Sequence, residues 1–598
     1  MISHLITAIA LGSLNLQSGQ PLEEISRELS TPAIQGGIHL TGILENPSET
    51  SVTRKPPEGV DYLRHSIRDR VSTYDTEKIK QIAFNRVSKI SVSLFEDIEV
   101  VLELKMVRRS YSGALCCWGT IQGDPTSGFN LTLLNDRCVM DIEDYGEFRI
   151  KVIPISEKHC IVRELLPAPV NCFQNKIKQE QLTSLVKEKS HPKTNGKTNP
   201  KETKAATSKE EKPAKWIEGG QESMSQTSGA PQVDGIILYT PRALRQWEDF
   251  FTPIPANNVG VTQDPGIGVL GNVVVMTQAL ETQLNECLSN SYPTGQVSME
   301  YNLIGQGLAP VDDSGYDTDA GSLQWLAELI LSGANFSDEK HVITEMRGIA
   351  GADLCHVMLD IDDPLAGGCG FIIESPESFF SPSLAYSCSL NNAAFTGQTF
   401  THETGHNLGL DHNVENFTPA ADWDGFASLV PWFGIATPFA RGFHATGDID
   451  SDGTDEHYGT IMSYEPQPSY NPNSGFSNDV NIRHFSSSIV NIGGEPTGVQ
   501  GSSNCAFSIS VTAYPTSQYY DRQPLSSEVH VNLNTIASVF EDGSWLHPFD
   551  TMAEALMKVQ GDGTGVIKVT ASSSPSPVGM VKRCRVISVG GTTTLGRD

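Results

Sequence analysis

No run of 18 or more apolar residues occurs in the 598-residue chain, so nothing in it is long enough to cross a bilayer as a helix. Basic residues are scarce: 42 Lys and Arg stand against 71 Asp and Glu, a formal net charge of -29. A chain that acidic repels phosphate backbones, which excludes nucleic acid as a partner and suits a soluble, exported protein. Residues 174–231 have few large apolar side chains and are rich in Lys, Glu, Ser, Thr and Pro. Such a stretch buries too little surface to fold, so a disordered linker is expected there. Its excess of lysines over acids reads better as an exposed cleavage segment than as a nucleic-acid arm. The first 20 residues lack Lys and Arg; their short apolar run before small and polar residues is read as a signal peptide, the alternative being the buried start of the first domain. Cysteine is present in an odd number, 11, so at least one stays unpaired within the chain.

What the chain does have is a short string of metal-binding chemistry. Residues 402–412 read His-Glu-Thr-Gly-His-Asn-Leu-Gly-Leu-Asp-His. His402 and His406 are four apart, so on a helix they share one face and reach one zinc ion. Glu403 adjoins the first of them, where its carboxylate can take a proton from an attacking water. Gly409 can adopt a backbone angle closed to other residues, end the helix and let the chain bring in His412 as third ligand. Three protein ligands leave a fourth position open, the mark of a catalytic site. Asp448-Ile-Asp-Ser-Asp-Gly453 carries Asp at positions 1, 3 and 5 and Gly at 6 of a calcium loop, with Gly459 where the bidentate Glu belongs. Asp448, Asp450 and Asp452 are the candidate calcium ligands, against a solvated acidic turn.

The string resembles the zinc motif of the metzincin metallopeptidases, and Tyr458-Gly-Thr-Ile-Met-Ser-Tyr464 resembles their Met-turn, with Met462 as its methionine. Val233–Pro241, the helical stretch Val269–Leu288, Val297–Leu303, Cys355–Asp360, Gly367–Ile372 and the segment from His484 to Gly498 are similar to bacterial reprolysin-like (adamalysin-type) domains. The resemblance covers residues 232–520. It implies an α/β catalytic domain: a twisted, mostly parallel sheet, the zinc helix beneath it and a lower subdomain after Gly409. It implies Zn²⁺ as cofactor, peptide-bond hydrolysis with Glu403 as base, and protein or peptide substrates. In the astacin and serralysin branches a tyrosine at the place of Tyr464 ligates zinc and stabilises the oxyanion; a Tyr packing on the turn is the other reading. Two departures stand out: Asn413 follows His412 where the pattern has Asp, and the run from His412 to Met462 is longer than usual.

Around that domain the expectations are looser. Residues 21–173 contain alternating runs such as Ile90–Leu94, Glu99–Lys105 and Phe148–Ile153, so a β-rich unit is expected. Its position before a peptidase domain resembles a propeptide, which would cover the cleft and inhibit the enzyme until removed. Cys172 at its end is weighed as a zinc-ligating switch, a disulfide or a buried thiol. Cys369 and Cys388 flank a Ser/Pro-rich loop and are the expected disulfide, which requires an oxidising compartment. Residues 521–598 resemble the opening turns of a right-handed β-helix, as a small cap or remnant. The whole reads as a secreted zinc endopeptidase made as a zymogen; the alternatives are an extracellular binding or adhesion protein on a metzincin scaffold and a zymogen with one narrow target.

Overall fold

The computed structural model describes residues 31–32, 38–45, 52–53, 66–84, 87–144, 148–165, 230–251, 267–293, 296–317, 321–332, 340–361, 367–370, 382–391, 398–412, 440–449, 456–463, 479–500, 502–534, 541–571, 573–574 and 582–595. By its contacts the chain divides into one unit of residues 1–174 and 231–598, and a second of residues 175–230.

The first part of the larger unit is an antiparallel meander. It comprises β1 (Ser66–Tyr74), α1 (Thr76–Phe84), β2 (Val87–Phe95), β3 (Ile98–Arg109), β4 (Leu115–Ile121), β5 (Asp124–Leu134), β6 (Arg137–Asp144), β7 (Phe148–Pro154) and β8 (His159–Leu165). The strands pair in the order β2-β3-β4-β5-β6-β7-β8-β1, with short strands added at the ends. Alternation sets the register: Ile90, Val92 and Leu94 are buried, while Ser91 and Ser93 between them are only half-buried. The β-hairpin turn between β5 and β6 places Asn135 and Asp136 at φ of 50° and 61°, the left-handed region that Asn and Asp tolerate best after Gly.

The α/β part follows. It runs through β9 (Gln232–Tyr239), α2 (Pro241–Phe251), α3 (Ile267–Asn290), β10 (Glu300–Leu308), α4 (Gly321–Ser332), α5 (His341–Ala350), β11 (Leu354–Leu359), β12 (Gly368–Gly370), β13 (Tyr386–Leu390) and α6 (Thr399–Asn407). The sheet order is β10-β9-β11-β13-β12. All its pairs are parallel except β12, which runs antiparallel along the edge. The strands β9 and β11 are buried along nearly their whole length, as expected of a parallel sheet covered on both faces. Below α6 come β14 (His444–Gly447), β15 (Glu456–Gly459), β16 (Asp479–Asn481) and α7 (Cys505–Thr516). This is the mostly parallel α/β arrangement with a lower layer that the sequence implied.

The end of the chain forms β17 (Glu528–Val531), α8 (Met552–Lys558), β18 (Asp562–Thr570) and β19 (Arg583–Val589). The three strands pair in parallel, and Ser573–Ser574 pairs in parallel with Thr594–Leu595. The core is Val529, Val531, Phe549, Leu556, Ile567 and Val569. A full capping box starts α8: Thr551 accepts from the Glu554 N–H, and Glu554 accepts from the Thr551 N–H. Among the described residues no helix is long and apolar enough to cross a membrane.

Candidate active site

The site is built on α6. His402 and His406 lie one turn apart on it and are 0% and 2% exposed. The helix ends at Gly409, whose φ of +82° is the left-handed conformation that closes helices. Leu410 N–H then reaches back to the Gly405 carbonyl at 3.1 Å, and Gly409 N–H to that of His406 at 2.9 Å. The reversal carries His412 to the other two histidines. His402 Nε2 and His412 Nε2 are 3.1 Å apart. Candidate ligand atoms of all three histidines lie within 4.8 Å of one another. A tetrahedral zinc with Zn–N bonds of about 2.0–2.1 Å would hold two ligand nitrogens about 3.3–3.4 Å apart, close to the 3.1 Å between His402 and His412.

Second partners fix the tautomers. His402 Nδ1 meets the Ile461 carbonyl at 2.7 Å and His406 Nδ1 meets the Leu410 carbonyl at 2.8 Å. A carbonyl only accepts, so both Nδ1 atoms carry the proton and both Nε2 atoms present a lone pair. Burial pushes the His402 imidazole down to about 3, aided by repulsion from His406. Burial likewise lowers His406 and takes His412 well down, where His406, His402 and Arg441 add to it. Neutral imidazoles are the form that binds metal.

Glu403 is fully buried next to the edge strand β12. The strand's glycines explain how it fits. A Cβ built on Gly368 would stand 2.8 Å from Glu403 Oε1, and one on Gly370 would stand 3.1 Å from Oε2 and 2.6 Å from the Glu403 carbonyl oxygen. The edge strand therefore lies against the carboxylate with only hydrogen between them. These glycines were read from sequence only as part of a strand; the run Gly367-Gly-Cys-Gly370 was the available signal.

The Met-turn segment closes the site from below. Ser463 N–H bonds the Thr460 carbonyl at 2.8 Å, making a tight turn with Ile461 and Met462 at its centre. Met462 is fully buried, and a Cβ on Gly405 would stand 2.5 Å from its sulfur. The turn thus serves twice: Met462 packs under the helix and the Ile461 carbonyl orients His402. Asp411 and Arg441 are further residues that sequence reading missed. Asp411 Oδ1 accepts from the His412 N–H at 2.8 Å, and Arg441 pairs with Asp411 at 3.3 Å. Arg441 Nη1 also donates to the His412 carbonyl at 3.4 Å. The acid that steadies the third histidine precedes it here, where the usual pattern has an Asp in the place of Asn413. Arg441 is 30 residues beyond Asp411, and nothing local announces it.

The expected Cys369–Cys388 disulfide is not formed. The two residues are directly opposed between β12 and β13. Cys388 Sγ instead lies 3.7 Å from the Ser322 carbonyl. No disulfide joins any of the ten described cysteines; nine are buried and pack as small apolar side chains. Of the calcium candidates, Asp448 is half-buried; Asp450 and Asp452 lie outside the described residues, as do Tyr464 and Cys172.

Residues 328–413 match the Metallo-peptidase family M12B Reprolysin-like, a span that ends one residue past His412. No protein of curated function matches the chain. Among solved structures, the chain is similar to a chain of a chaperone–substrate complex at 16% identity and TM-score 0.30, over 49% of this chain and 36% of that one. It is also similar to metalloproteinase-II from Bacteroides fragilis at 9% identity and TM-score 0.29, over 55% of this chain and 81% of that one. The chain spans about a third of the first of these, and neither likeness is close enough to carry the fold, which rests on the sheet and helices described above. What the matched segment shows is that residues 328–413, which hold the three histidines and Glu403, are similar to the reprolysin-like metallopeptidases of family M12B.

Proposed function

We propose that the chain is a secreted zinc endopeptidase in which His402, His406 and His412 hold the ion and Glu403 is the general base. The observation that carries this reading is the convergence of three neutral imidazoles beside a buried carboxylate. A zinc ion bound there supplies Lewis-acid polarisation of the scissile carbonyl and acidifies a water. Glu403 takes the proton from the attacking water at a carboxylate oxygen and gives it to the leaving amine. The Ile461 and Leu410 carbonyls keep the His402 and His406 lone pairs aimed inward throughout. The glycines of β12 leave the carboxylate room beside the edge strand, where an extended peptide would pair. Tyr464 is assigned no step.

Export and synthesis as a zymogen belong to the same proposal, supported by composition and by the first domain's place in the chain. That the first domain covers the cleft is not supported by its described contacts, which include α3, Tyr301 of β10, Arg483 and Arg522. Calcium at Asp448, Asp450 and Asp452 remains a reading of the sequence. The test of the function is digestion of an unfolded protein by the purified full chain before and after chelation, with products identified by mass spectrometry. Internal cleavage that is lost with chelator and restored by zinc supports the proposal. Zinc binding without cleavage of any substrate would favour a binding scaffold.

A further inference from the structure

A buried polar network lies where the N-terminal meander meets α3. Residues 272–288 of α3 are buried without interruption. One face meets β10 and α6; the other meets β4, β5 and β6 of the meander. The second face is polar: Gln278, Glu281, Thr282 and Glu286 recur at helical spacing, a stripe that in sequence reads as solvent-facing. The meander answers it group by group. Arg108 donates to Glu281 at 2.7 Å, with the two side chains 7% and 0% exposed. Thr132 and Thr282 hydroxyls meet at 2.7 Å, and Ser112 donates to Gln278 at 2.6 Å. Beside these, Val139 and Ile153 of the meander join the same apolar cluster as Val273, Leu280 and Leu284 of α3.

A second set of contacts leads toward the histidines. Arg483, 2% exposed, donates to Glu286 at 2.8 Å and to Glu143 of the meander at 3.1 Å. A Cβ on Gly128 would stand 2.6 Å from Arg483 Cδ, so the two parts interlock at this point. The next residue, His484, accepts the Ile461 N–H at 2.8 Å, and the Ile461 carbonyl orients His402. The meander thus braces the turn under the histidines from behind, through Arg483 and His484.

We propose that the N-terminal domain is a lasting half of the peptidase, seated on α3 and propping the Met462 turn through Arg483, and that it stays bound after the chain is cut between residues 175 and 230. Its partner surface is the polar face of α3, and its recognition is by matched buried charge and hydroxyl pairs together with the shared apolar cluster. Removal would strip the cover from one whole side of α3.

The experiment is a full-length chain carrying an inserted site for a sequence-specific protease within residues 190–215. After complete cutting, the two fragments are run on size exclusion at near-physiological salt, and amide exchange of α3 is followed by mass spectrometry. The proposal requires co-elution at a 1:1 ratio and α3 exchange within about threefold of the uncut chain. A meander fragment eluting apart from a folded remainder would overturn it. Thr132→Arg places a charge into the Thr132–Thr282 contact and is expected to loosen the cut complex by about 100-fold or more; uncut Thr132→Arg controls for folding. If the substitution leaves a cut complex as tight as before, the α3 face is not the seat. Ser112→Arg, nearer the rim, gives the same comparison with a milder change, about tenfold.

Discussion

Replacing Gly368 by alanine isolates the placement of Glu403 from the binding of metal. The new methyl would stand 2.8 Å from Glu403 Oε1, 2.9 Å from its Cγ and 2.6 Å from Thr399 Cγ2. Ordinary contact begins near 3.4 Å, so the carboxylate must retreat by about 0.6 Å. The end of a glutamate side chain yields readily, so the cost in stability stays within about 1–2 kcal/mol. The cost in catalysis is larger, because displacement of a catalytic group by about 1 Å loses roughly 100-fold in rate. The expected result is kcat down about 30- to 100-fold, or about 2–2.7 kcal/mol of barrier, with KM nearly unchanged. Zinc content should stay at one per chain, since the imidazoles are held by Ile461 and Leu410 rather than by β12. Gly348→Ala serves as the control: nothing lies within 4 Å of its would-be Cβ in α5, and a helix-interior alanine is worth up to about 1 kcal/mol of added stability. A Gly368→Ala enzyme within threefold of the parent, or one whose activity falls only as its zinc falls, would refute the reasoning.

Asp411→Asn keeps the shape but removes the charge that pairs with Arg441 and steadies His412; zinc affinity measured by chelator competition should fall about 10- to 100-fold, and an unchanged affinity would remove Asp411 from the site. Met462→Leu conserves volume and should cost under about 1.5 kcal/mol by urea denaturation, whereas Met462→Ala beneath Gly405 should cost about 2–5; equal costs would mean the sulfur packs against nothing. Glu345, raised to about 7 by burial and by Asp550 and Glu541, has a folded value above its unfolded one, so its favourable contribution is complete below about pH 4.5 and lost as pH rises through 7. Glu345→Gln should therefore stabilise by about 1 kcal/mol at pH 8, after discounting for its partial exposure, and by nearly nothing at pH 4.5; equal gains at both would contradict this.

The parts of the site legible from sequence were those whose chemistry is local. His402, Glu403, His406, Gly409 and His412 sit within one helix and its closing turn, so spacing alone brings them together. Met462 is 50 residues on and was legible only through its resemblance to a known turn. What stayed hidden was set by tertiary pairing. The closeness of Gly368 to Glu403 depends on which strand takes the sheet edge, and the Asp411–Arg441 bridge on where the chain returns after the long run behind His412. Strand alternation gave the first domain its β character, yet its seat could not be read. The polar stripe of α3 looks like a surface in sequence, because side-chain type does not distinguish water from a matched protein partner. The cysteines misled for a related reason: residue type and spacing do not distinguish a buried thiol from one half of a disulfide.

The measurement that bears most directly on the central claim compares the full-length chain with Glu403→Ala for zinc content and for hydrolysis of casein. The expected result is one zinc per chain in both, cleavage by the parent, and loss of at least about a thousandfold in rate in the variant. A parent chain that binds no zinc, or a Glu403→Ala variant that cleaves as fast as the parent, would contradict it.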